Sequence, residues 1–97
     1  MPQIDWDHVA REAVDLLRRY IAVDTTNPPG NEERATDFLC QVLEANGIES
    51  TAYNSAPGRA NLVAEIPGSS DEKPIILLNH TDVVPVEEAQ WQVAPFA

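Results

Sequence analysis

Three observations predict an α/β or α+β fold with the element order α-α-β-β-β. Apolar residues recur with helical period twice in the first half of the chain. The period shortens after Gly47. A continuous aliphatic run, Ile75 to Leu78, then follows two shorter extended stretches.

The first helix is expected from about Asp5 to Val23, with Val9, Ala13, Leu16, Leu17, Tyr20 and Ile21 on one face and Arg11, Arg18 and Arg19 mostly on the other. Asp5 and Asp7 stand near its start, where carboxylates favour the helix dipole. "DTTNPPGNEE" breaks it, because Pro28 and Pro29 cannot continue a helix and Asn27 before them is pushed toward extended geometry. Gly30 or Asn31 then caps a second helix with Glu32 and Glu33 in its first turn and Ala35, Phe38, Leu39, Val42 and Leu43 on its inner face. Gly47 is a natural residue to end it, and Ile48 can make the accompanying apolar contact. "IESTAYN" reads as a strand and "SAPGRA" as a turn centred on Pro57-Gly58. "NLVAEIPG" reads as a second strand with Leu62, Ala64 and Ile66 on one face. "PIILLNH" is the third, and its unbroken apolar run predicts burial on both faces. No repeat, low-complexity tract or internal domain boundary is evident.

The composition, 43% hydrophobic and 23% charged over 97 residues, is that of a globular chain. The formal net charge is -10, and the six Lys and Arg residues form no patch. Nucleic acid and anionic membrane surfaces are therefore poor partners. No apolar run approaches the length of a membrane span. The first residues carry acids and no basic stretch, unlike a secretory signal, and Cys40 is alone, so a reduced, cytoplasmic setting is the expectation.

The third strand ends on Asn79-His80-Thr81-Asp82. Residues two apart on extended chain point to one side, so His80 and Asp82 face the same space beyond a strand's carboxyl end, where α/β sheets gather ligands. A neutral imidazole there binds zinc or a similar divalent ion, and a metal-bound histidine usually gives its other ring N–H to a carboxylate such as Asp82. The competing reading is a strand-end histidine satisfied by a local carboxylate, and spacing alone leaves both open. His8 reads as a solvated surface residue, Cys40 as partly buried and inert, and Asn27 to Gly30 as a rigid connection between helices. Trp91 and Phe96 read as packing on the sheet rim, with a substrate wall as the alternative. Asp24 and Thr25 are not placed by the sequence relative to His80.

The longer string "LLNHTDVVPV", followed by Trp91 and Pro95-Phe96, resembles the first metal-binding segment of the zinc-dependent exopeptidase and deacylase superfamily. That family includes aminoacylase, acetylornithine deacetylase, succinyl-diaminopimelate desuccinylase and the glutamate carboxypeptidases. "LLRRYIAVDTTNPPGNEERATDFLCQVLEANGIES" is similar to its opening helix, Asn-Pro-Pro-Gly loop and second helix, and "APGRANLVAEIPG" to the hairpin that follows. The resemblance covers nearly the whole chain. It implies that residues 1–97 are the N-terminal part of a three-layer α/β/α metallohydrolase catalytic domain, with the histidine-bearing strand central. It implies that His80 is a metal ligand and that Asp82 is the supporting carboxylate counted among the catalytic residues. Val83, Val84 and Pro85 match the structural turn after the site. Two divalent ions are implied, zinc or else cobalt or manganese, with a small N-acyl amino acid or peptide as substrate. The family's bridging carboxylate, general-base glutamate, second-site acid and C-terminal histidine have no counterpart in residues 1–97. Glu87-Glu88 follows His80 too closely to be the family's paired glutamates. The chain by itself is therefore expected to bind metal weakly and not to turn over. A non-catalytic binding or structural piece that keeps the scaffold is the alternative. The unpaired Ile75–Leu78 edge is expected to leave the isolated chain poorly soluble, molten, or oligomeric through that edge, for instance as a homo-oligomer.

Overall fold

The computed structural model describes residues 2–97, which group into two compact units. One contains the residues up to Asp24 together with Val86–Ala97, and the other is Thr25–Pro85.

In the first unit, helix α1 runs from Trp6 to Ile21. Its N-cap is Asp5, whose carboxylate accepts from the His8 backbone N–H at 3.0 Å, supplying one partner for the donors that every helix start leaves unsatisfied. Asp7 lies in the first turn and Arg18 and Arg19 in the last, both favourable to the helix dipole. The expected apolar face exists as a pattern, but no residue of α1 is buried. Leu17 and Ile21 are about half exposed, and so is Trp91, which follows a short 3-10 turn at Glu88–Gln90. His8 is exposed, as its surface reading expects.

In the second unit, helix α2 runs from Glu32 to Ala45 and the antiparallel strands β1, Ser50–Ala56, and β2, Arg59–Ala64, form a hairpin. The α2 N-cap is Asn31, in the left-handed region at φ 51°, and its side chain makes no cap bond. The turn of the hairpin supplies the acceptor instead: Glu33 N–H donates to the Gly58 carbonyl at 3.1 Å. The C-terminus closes as the sequence predicts. Gly47, at φ 71°, donates to the Glu44 carbonyl and Ile48 to that of Leu43, the paired bonds of a Schellman motif.

Pro57-Gly58 is the hairpin loop, with Gly58 at φ 75°, so a proline followed by a left-handed glycine turns the chain. Register runs from Ser50 opposite Ala64 to Ala56 opposite Arg59, with an irregularity between Asn54 and Ala56. β2 stops at Ala64, so Ile66 lies outside it and is exposed. Its inward face is Ala60 and Leu62, two positions apart as a pleat requires. The core lies where the first half of α2 meets β2, with Ala35, Thr36 and Ala60 buried. Phe38, Leu39, Val42 and Leu43 are half-buried, which agrees with the predicted inner face, and so is Cys40, whose Sγ accepts from Ser50 Oγ at 3.4 Å.

The third strand is a correction. Residues 74 to 80 form no ladder, and Ile75 to Leu78 are between 85% and 92% exposed rather than buried. Apolarity favours burial, but a strand forms only where a neighbour takes up its backbone donors and acceptors. Among the described residues none stands beside this run, and the sheet has the two strands of the hairpin only. The α/β class holds, while the order within the described residues is α-α-β-β.

Candidate functional site

The ordered surroundings of His80 and Asp82 come from the segment just after the first helix. Thr26 and Val83 form a parallel bridge. Asn27 N–H donates to the Val83 carbonyl at 2.8 Å, and Val83 N–H donates to the Thr25 carbonyl at 3.2 Å. Thr25 is 3% exposed, and its hydroxyl donates to the Thr81 carbonyl at 2.6 Å, so a buried polar side chain is satisfied by backbone. The extended preference that Pro28 imposes on Asn27 suits this segment to lie alongside Val83. Gly30 then turns the chain into α2: it sits at φ 109° and its N–H donates to the Thr26 carbonyl at 2.8 Å.

Beside that turn lies an ion pair. Glu32, 8% exposed, meets Arg59 with Oε2 2.6 Å from Nε, and Arg59 Nη1 also donates to the Pro29 carbonyl at 3.4 Å. A Cβ on Gly30 would stand 2.8 Å from Arg59 Nε and from Glu32 Oε2, so only glycine fits the close approach of loop and ion pair.

Asp82 is gripped from two directions. Asn27 Nδ2 donates to its Oδ2 at 2.9 Å, and His80 Nδ1 lies 3.1 Å from its Oδ1 and 2.9 Å from its backbone oxygen. Both atoms that Nδ1 faces are acceptors, so in the neutral ring Nδ1 carries the hydrogen and Nε2 keeps its lone pair. The His80 side chain is 85% exposed and that of Asp82 33%. The Asn27 amide, and after it the His80 ring, hold the Asp82 carboxyl below the usual carboxylate range against the opposing effect of desolvation.

An imidazole nitrogen with an available lone pair, its other nitrogen tied to a carboxylate, is the donor chemistry of one zinc ligand. The described residues contain no cluster of three or more His, Cys, Asp or Glu able to hold a metal ion. The chain therefore fits one ligand position and its support, about a quarter of a four-coordinate site. A groove of about 630 Å³ opens beside the pair, lined among others by Leu39, Leu43, Leu62, Leu78, His80 and Asp82.

The structure thus brings together His80 and Asp82, which the sequence singled out, and adds Thr25 and Asn27. The sequence gives Thr25 no place, and it reads Asn27 as part of a helix connection. The only local signal is an uninterrupted run of four polar residues, Asp24-Thr25-Thr26-Asn27, immediately before Pro28-Pro29. Its partners lie more than fifty residues away.

The chain is 35% identical to aminoacylase-1 of Mus musculus over 85 residues, which is 87% of this chain and 21% of that protein. Human aminoacylase-1 is 34% identical over the same length. Acetylornithine deacetylase of Aliivibrio fischeri is 33% identical over 76 residues, 78% of this chain and 19% of that protein. The chain spans about a fifth of the length of the curated relatives it matches. No protein-family model and no solved structure matches it.

Proposed function

Because the chain belongs to the zinc-dependent deacylase and exopeptidase superfamily, we propose that it forms the histidine-bearing part of a hydrolase that cleaves amide bonds of N-acyl amino acids or small peptides. The observation that carries the reading is the state of His80: Nδ1 is committed to Asp82, and Nε2 is left for a ligand. His80 would hold one of two metal ions through Nε2, while Asp82 fixes the ring's tautomer and direction. Zinc suits this nitrogen donor, with cobalt or manganese as the alternatives. The chemistry a bound metal would supply there is an activated water and polarisation of the amide carbonyl. The chain's own residues do the orienting: Asp82 holds the ring, and the 25–27 segment holds Asp82. The groove lined by Leu39, Leu43 and Leu62 would take the apolar part of an acyl substrate. Residues 1–97 alone supply too few ligands for turnover.

The test is made in the enzyme that carries the family's remaining ligands. His80→Ala removes most metal at one site and most hydrolysis of an N-acyl amino acid. Asp82→Ala lowers activity about 10–100-fold with a smaller loss of metal. Metal analysis and hydrolysis assays decide, and full activity in the His80 variant sinks the assignment.

A further inference from the structure

We propose that Asn27 is a positioning residue for the His80–Asp82 pair: its amide pins one carboxylate oxygen so that the other stays on the imidazole. The purpose of such a device rests on the reading of His80 as a metal ligand, but the geometry stands by itself. Asn27 Nδ2 lies 2.9 Å from Asp82 Oδ2, and His80 Nδ1 lies 3.1 Å from Oδ1. A carboxylate held at one oxygen only can rotate about its Cβ–Cγ bond, a soft torsion with broad preferences. The amide removes that freedom. The arm itself is anchored, since Asn27 N–H is bonded to the Val83 carbonyl and Val83 N–H to the Thr25 carbonyl. Amide and carboxylate therefore face each other across a short parallel bridge between Thr26 and Val83.

Asparagine suits the position. It is a donor toward Oδ2, where an aspartate of the same shape would repel the carboxylate. Without the amide, the Nδ1 hydrogen keeps only the Asp82 backbone oxygen, 2.9 Å away, as a fixed acceptor. The ring is then freer to place its hydrogen on Nε2, the nitrogen a metal would need.

The tautomer of His80 reads this directly. The 15N-labelled chain is examined by long-range 1H–15N NMR at alkaline pH, where the ring nitrogen shifts of both histidines no longer change as pH is raised further. His8, exposed and the only other histidine, is the internal reference. The parent chain should show His80 chiefly as the Nδ1–H form, in contrast to His8. Asn27→Ala and Asn27→Asp should raise the Nε2–H share to at least about twice the parent value, and Asn27→Gln, which keeps the donor, should recover part of the difference. Thr25→Val breaks the neighbouring bond to the Thr81 carbonyl without touching Asp82, so it measures what mere loosening of the bridge does. A His80 ring no different from His8, or a change in the Asn27 variants no larger than in Thr25→Val, overturns the proposal. No hydrolysis or metal measurement enters, so failure of the enzymatic reading and failure of this one are distinguishable.

Discussion

Pro74 to Asn79 and Thr81 to Val83 are neighbours in one string, and they differ in almost every physical respect. The first is the most apolar stretch of the chain, yet Ile75 to Leu78 are at least 85% exposed, and no backbone hydrogen bond joins them to another described residue. The second is held to residues 25–27 by backbone bonds in both directions and by the Thr25 hydroxyl and the Asn27 amide. Order follows the partner rather than the hydrophobicity. The groups expected to do chemistry are fixed from the polar side, by Thr25 and Asn27, while the aliphatic run that leads to them stays open.

That contrast breaks most sharply at Gly30, which turns the anchored segment into α2. Gly30→Ala places a Cβ against Arg59 and Glu32 at a φ of 109°. We expect a loss of about 2–4 kcal/mol in the stability of the Thr25–Pro85 unit, read by hydrogen exchange at the Val83 and α2 amides. A variant as protected as the parent would show that the turn is not needed to hold the bridge. Thr25→Val is a milder probe. It leaves the half-buried Thr81 carbonyl without its side-chain donor and should cost about 1–2 kcal/mol, with increased Val83 exchange and little change in the hairpin.

The smallest effect tests the other half of the comparison. Leu77→Lys alters a residue 91% exposed, so it should change stability by less than about 0.5 kcal/mol. It should instead reduce association of the chain, measured by size exclusion with light scattering, because a charge on an unpaired aliphatic edge opposes strand pairing. A large destabilisation would mean that the run is packed rather than open.

Local signals were the legible ones. The end of α2 was readable because Gly47 and Ile48 close a motif within six residues, from Leu43 onward. The inner face of α2 and the Pro57-Gly58 turn were readable for the same reason, since period and turn chemistry are carried by adjacent positions. Strand limits were less so: β2 begins at Arg59 because Arg59 finds Ala56 as partner, a matter of register rather than composition. The Ile75–Leu78 run misled because continuous apolarity speaks of burial only when something is there to cover it. His80 and Asp82 were visible as a spacing. Asn27 was not, because its role is defined by a carboxylate 55 residues away.

The Thr25–Thr81 bond also has a cost in chain entropy. It closes a loop of 56 residues, whereas the hairpin closes between Ala56 and Arg59. That difference is about four doublings of loop length, worth roughly 2.5 kcal/mol in all. The four hydrogen bonds between residues 25–27 and 81–83 contribute about 1 kcal/mol each, together enough to offset that difference. The helix and hairpin can therefore assemble from near neighbours before the clasp around Asp82 shuts.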